Sequence, residues 1–158
     1  MQQPMQAGCN LAYLLAVACV YTLGVTTALA ESNRGTSNRS EKEYQIVLCN
    51  EFNTSVQLPT RTEVDCVSED LAIEVDFSEK WAEAVGQSLY YASELNLRPG
   101  IILICKEAKT SSPCLRHRYL AEQTLAHWQI PATIWFCGRD SRELQDCAWQ
   151  EVESARTR

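Results

Sequence analysis

The chain has 158 residues, a length that fits one domain, and 46% hydrophobic residues are enough for a packed core. Net charge is −6, and the first 30 residues carry no charged side chain, so the acidity belongs to the rest. An acidic body argues against a nonspecific nucleic-acid coat, which would show a basic excess.

Residues 1–30 read as a signal peptide or membrane-targeting segment. An apolar run begins at Leu11 and closes in Ala28-Leu29-Ala30, a small-x-small ending that suits cleavage before Glu31. The ten residues before the run contain no Lys or Arg, unlike an ordinary signal peptide. The alternative is a retained anchor over residues 11–30. A span needs roughly 18 apolar residues or more, and this run reaches that only by counting Thr22, Gly24, Thr26 and Thr27. The expected location is periplasmic or secreted, with no stable membrane association once the leader is removed.

The cysteines point the same way. Of eight, Cys9 and Cys19 fall in the leader, which leaves Cys49, Cys66, Cys105, Cys114, Cys137 and Cys147. Six in an exported domain suggest disulfides, with 15 connectivities open if all pair. Free buried thiols are the alternative. A zinc cluster lacks a CxxC, and His117 and His127 are ten residues apart, which is not one helical face. Cys105 and Cys137 end two expected neighbouring strands and are the first candidate pair. Cys49–Cys66 and Cys114–Cys147 follow.

Residues 31–40, ESNRGTSNRS, form a polar linker. The domain is expected over 41–151, with 152–158 as a polar tail. Ser40 with Glu43 makes a capping box, and Tyr44, Val47, Leu48 and Phe52 form a helical stripe. SVQLP, TEVDCVS and LAIEVDF are three strand candidates with short connections. In the last, Ile73, Val75 and Phe77 point one way and Glu74 and Asp76 the other. Ser78 is placed to cap a helix to about Asn96, with Trp81, Val85, Leu89, Ala92 and Leu95 buried. Lys80, Glu83, Gln87 and Tyr91 occupy the adjacent stripe. IILIC is a central strand, PCLRHRYLAEQTLAHWQI a second long helix and ATIWFCG another buried strand. The first three strands make a meander, and the last two pair in parallel through helical crossovers. The expected fold is α/β with a mixed sheet.

Asp65 and Glu74 project from neighbouring strands about 4.8 Å apart, with Asp76 two residues along on the face of Glu74. Three clustered carboxylates repel unless something cationic joins them. A hard divalent ion suits oxygen ligands, and Lys80 follows close behind. They are expected to share a site on the first helix's side of the sheet.

Asp65, Glu74-Val75-Asp76 and the QSLYY of Gln87–Tyr91 resemble the PD-(D/E)XK nuclease superfamily, in particular the RecB-like branch with its QxxxY helix. The resemblance covers roughly residues 40–137. It implies an αβββαβ restriction-endonuclease-like core, here with one further helix–strand unit. It also implies Mg²⁺ or Mn²⁺ held by Asp65, Glu74 and the carbonyl of Val75. Gln87 and Tyr91 would contact nucleic acid or support the site. The family's triplet lysine orients the attacking water. Asp76 stands at that position here, and Lys80 is placed to substitute for it. Val64 stands where the family's proline would be. A first-helix glutamate, Glu43 or Glu51, would complete the set.

The resemblance implies metal-dependent phosphodiester hydrolysis of DNA or RNA, so that nucleic acid is the expected partner. The rival is a nuclease-fold binding protein without catalysis. An unrelated exported domain would follow if the acids lay far apart. Residue by residue, Glu74 and Asp76 facing water with Lys80 as a surface counterion is the plain alternative. Trp81, Trp128 and Trp135 read as core or partly buried, and Trp149 has no assigned role. Arg116, His117 and Arg118 form the one local basic cluster, at a helix start where solvent or phosphate could be met.

Overall fold

A computed structural model describes residues 39–153. The leader and most of the linker and tail therefore lie outside the described residues.

The elements run α1 (Glu41–Leu48), β1 (Asn53–Gln57), β2 (Glu63–Val67), β3 (Leu71–Phe77), α2 (Trp81–Leu95), β4 (Arg98–Cys105), α3 (Ser112–His127), β5 (Ala132–Gly138) and β6 (Ala148–Val152). One six-stranded sheet carries all the strands in sequence order. β1, β2 and β3 pair antiparallel, β3, β4 and β5 pair parallel, and β6 returns antiparallel to β5. The mixed α/β sheet thus follows the expected order. β6 is additional: only Val152 of its five residues is buried, so its sequence carries little alternation.

The strands sort their side chains to two layers. Ile73, Val75, Ile102 and Ile104 pack with Tyr44 and Leu48 of α1. Ile101, Leu103, Ile134 and Phe136 pack with Ala84 and Val85 of α2 and Ala121 and Leu125 of α3. The four β4 residues 101–104 are all fully buried. Each contributes about 1.5–3 kcal/mol of apolar burial, which makes β4 the centre of the core.

Helix ends follow their local chemistry. Ser40 and Glu43 form the expected capping box on α1. Asn96, left-handed at φ 54°, closes α2. Pro113 sits in the first turn of α3, where its missing N–H costs nothing. Ser78 does not cap α2. A 3₁₀ turn, Ser78–Lys80, comes first, and the Ser78 hydroxyl goes to His117 instead.

Disulfides join Cys49–Cys66, Cys105–Cys114 and Cys137–Cys147. The first is as expected, and the pairs Cys105–Cys137 and Cys114–Cys147 are not formed. Register explains this. Ile104 stands opposite Cys137 and Cys105 opposite Gly138. The two cysteines are thus one residue out of step, and a one-residue offset puts side chains on opposite faces. Cys105 therefore meets Cys114 at the start of α3, while Cys137 meets Cys147 in the α1-side cluster. Three disulfides fit an oxidising compartment. Among the described residues no helix is long and apolar enough to cross a membrane.

Candidate functional site

The acids come together where β2 leaves β3. The two strands keep register only at Cys66 with Ile73 and Val67 with Ala72. Beyond that point Asp65 Oδ2 accepts the N–H of Val75 at 2.9 Å, so a side chain takes the bond that a strand would have made. The Asp65 carbonyl is held by Gln45 Nε2 at 2.6 Å, from a side chain only 2% exposed. α1 thereby fixes Asp65 through a residue that the sequence did not single out. Cys49–Cys66 ties the same helix to the same strand.

Glu74 and Asp76 are buried, at 4% and 1% exposure. They do not face water. Nor do they lie on the α1 side of the sheet, because Ile73 and Val75 occupy that side. They project toward the α2 layer beside Ile101 and Leu103, their register partners. α1 still reaches the group with its first turn, and the glutamate it supplies is Glu41. Glu43 is exposed and used in the capping box, and Glu51 is exposed in the loop beyond α1.

Contacts link the set. Glu74 lies within hydrogen-bonding reach of Asp65, and Asp76 within reach of Glu41. Lys80 Nζ stands 3.0 Å from Asp76 Oδ1 and 3.1 Å from Glu41 Oε2. Asp76 Oδ1 also accepts the N–H of Phe77 at 2.7 Å. Tyr91, buried on α2, lies within hydrogen-bonding reach of Glu74 and donates to Gln87 Oε1 at 3.3 Å. Gln87 Nε2 donates to Glu83. The structure thus brings Asp65, Glu74, Asp76, Lys80, Gln87 and Tyr91 into one neighbourhood, and adds Glu41 and Gln45.

Crowding shapes the protonation. Burial first, then Asp65 and Asp76, pushes the Glu74 carboxyl up to about 9. Burial and the hydrogen bond with Glu41 push Asp76 up to about 7, against the pull of Lys80 and the Phe77 N–H. Burial also raises Asp65, with the Val75 N–H drawing it back down. The hydrogen bonds that Lys80 donates to Asp76 and Glu41 hold it firmly protonated. Burial raises the Tyr91 hydroxyl, with the Glu74 charge adding to it, so the phenol stays a donor. One ammonium, Lys80, thus bridges two of the four carboxyl groups, Asp76 and Glu41.

Such a donor set suits a hard cation. Among the described residues no group of three or more His, Cys, Asp and Glu side chains is arranged to hold a metal ion. Mg²⁺ needs fewer, since it keeps several waters and takes one or two carboxylates. The Asp65–Glu74 pair meets that need. Asp65 has an oxygen beyond the one bound to Val75, and the Val75 carbonyl lies on the same strand edge as its N–H.

Of the remaining readings, Trp81 and Trp135 are partly buried as expected, but Trp128 is 70% exposed and Trp149 64% exposed. Arg118 pairs with Glu122 and Gln150 and lies over the Phe136 ring. Neither known protein families, curated proteins nor solved structures offer a match to the chain.

Proposed function

We propose that this protein is an exported, divalent-metal-dependent phosphodiesterase acting on DNA or RNA, built on a PD-(D/E)XK-like core. One observation carries the reading: Asp65 and Glu74, on strands that part between them, come together among buried side chains beside Tyr91 and its partner Gln87. Asp65, Glu74 and the Val75 carbonyl would hold Mg²⁺ or Mn²⁺. When bound, the ion would acidify a coordinated water and stabilise charge on the phosphate.

The chain's own residues do the rest. Lys80 takes the part of the missing triplet lysine. Its side chain, 45% exposed, rims the group on the side from which a phosphate oxygen or a water would arrive. Asp76 anchors that ammonium and, with Glu41, sets its direction. Tyr91, its hydroxyl donating to Gln87 Oε1, packs beside Glu74 and walls the acid pair on the α2 side. Gln45, by gripping the Asp65 carbonyl, holds β2 at its point of departure. Three disulfides and the apolar leader agree with work outside the cytoplasm.

The rival reading, a nuclease-fold binding protein without catalysis, draws on one feature. The Asp76–Lys80–Glu41 bridge satisfies the lysine internally. A mutant set separates the two. Purified protein should cut nucleic acid only with Mg²⁺ or Mn²⁺, and Glu74→Gln should abolish cutting while leaving the circular dichroism spectrum unchanged. Asp76→Lys should preserve or raise activity if Asp76 only fills the lysine position, and abolish it if Asp76 is a ligand. No cutting of single- or double-stranded substrate with either metal, together with no metal-induced rise in melting temperature, would favour the binding protein.

A further inference from the structure

The 3₁₀ turn Ser78–Lys80 has two sides. One holds Lys80 over the acids. The other packs against the start of α3 and borders a cleft of about 410 Å³ lined by Trp81, Ser112, Pro113, Arg116, His117 and Leu120. The cleft falls within the size range of ordinary small-ligand sites. Its chemistry sets it apart in an acidic protein: no carboxylate lines it. Larger cavities elsewhere are lined by Glu107, Asp140 and Asp146, or by Glu69 and Asp70.

We propose that this cleft is a nucleotide subsite, which receives a phosphate and an adjoining base of the single strand running through the acid cluster. It rests on the nuclease reading above and extends it to substrate placement. Arg116 carries a guanidinium with no carboxylate partner among the described residues, unlike Arg98 and Arg118. His117 is held by a built contact. Its Nδ1 shares a hydrogen bond with Ser78 Oγ at 3.2 Å, and Ser78 is only 2% exposed. That bond orients the ring and leaves Nε2 for a ligand. Trp81, partly buried against the α2 and α3 core, offers an aromatic surface on the same wall. Guanidinium, imidazole and indole together are what a phosphate and a stacked base require. The first turn of α3 adds N–H groups not used by the Ser111 side chain.

Position links cleft and acids. Trp81 directly follows Lys80, so their Cα atoms are about 3.8 Å apart. Ser78 stands two residues beyond Asp76. The proposed path takes the strand from a phosphate at Lys80 around the 3₁₀ turn to the cleft at Trp81. Ser78 is a positioning residue: it touches no ligand and acts through His117.

The test is binding of a labelled oligothymidylate by fluorescence anisotropy, in EDTA and across salt concentrations. Wild-type protein should bind. Arg116→Ala and His117→Ala should each weaken binding about fivefold or more. For Arg116→Ala the slope of log affinity against log salt should fall by about 0.7, the share of one single-strand phosphate contact. In the cutting assay both variants should raise KM and leave kcat unchanged. Ser78→Ala should reproduce the His117→Ala loss in part, and Ser78→Thr should restore it. Wild-type affinity and salt slope in both Arg116→Ala and His117→Ala, with melting temperatures unchanged, would overturn the proposal. Cutting with an unaltered KM in those variants would do so too, while leaving the nuclease reading standing. Arg116-dependent binding in a protein that never cuts would uphold the subsite and remove the hydrolase.

Discussion

β3 and β4 lie side by side in parallel register, with Glu74 opposite Ile101 and Asp76 opposite Leu103. All four residues face the same helical layer, and none is more than 4% exposed. One strand fills that layer with an isoleucine and a leucine, and its neighbour fills it with two carboxylates. Solvent does not explain the difference. A buried carboxylate is costly unless paired, while the apolar equivalent stabilises by about 1.5–3 kcal/mol. The acids on β3 hold ground that packing alone would have given to leucine, so β3 forgoes there the apolar burial that β4 keeps.

The contrast breaks most violently if it is moved one strand over. Leu103→Asp would bury an unpaired charge beside Asp76, and should cost about 3–5 kcal/mol beyond the lost leucine contacts. Against a typical domain stability of about 5–15 kcal/mol, urea melts should show a largely unfolded protein. A folded Leu103→Asp would mean that this layer is wetter than its burial says.

The reverse change should help the fold. Glu74→Leu removes the most crowded carboxylate and extends the apolar layer of Ile101 and Leu103. The metal-free protein should gain about 1–2 kcal/mol in urea denaturation, with Tyr91 keeping Gln87 as a partner. A loss of stability would show that Glu74 is structural.

Titration sharpens the same point. Glu74 moves from its ordinary 4.5 up to about 9 on folding, and Asp76 from 3.8 up to about 7. A raised carboxyl favours the folded state most below the unfolded value, and the advantage is lost as pH rises through the folded one. The metal-free protein should therefore lose stability steadily between about pH 4 and 9. Mg²⁺ or Mn²⁺ should raise the melting temperature more at pH 8 than at pH 5. A flat profile would say that the carboxylates are not crowded.

The smallest effect is expected at the rim. Lys80 is 45% exposed, but its partner Asp76 is buried, so removing the ammonium strands that carboxyl, at a cost of about 1 kcal/mol once it has taken up a proton. Lys80→Ala should shift stability by no more than that, while lowering any cutting rate well beyond it. Equal, small losses in both measurements would make Lys80 a surface counterion.

Much of this was legible beforehand, for identifiable reasons. Period-two alternation placed Glu74 and Asp76 on one face, and the short connection brought Asp65 beside them. The first-helix glutamate was misassigned. Glu43 advertises itself through the capping box, but which carboxylate reaches the site depends on how Tyr44, Gln45 and Leu48 dock α1, and that is a tertiary matter. The side of the sheet was missed for the same reason. Gln45 gave no signal, since a glutamine one position from a buried tyrosine looks like any helix surface. The Cys105–Cys137 pairing failed on parity: the strands were judged to be neighbours, but register decides which face each cysteine takes. β6 left little trace, because an edge strand with one buried residue has almost no pattern to read.

The disulfides share one more property. Numbered along the domain, each cysteine is bonded to its immediate successor: Cys49 to Cys66, Cys105 to Cys114, Cys137 to Cys147. No bridge encloses or interleaves with another. In a chain that emerges N-terminus first into an oxidising compartment, a thiol that waits for the next thiol meets its native partner. Oxidation in order of arrival would thus select the native connectivity out of 15.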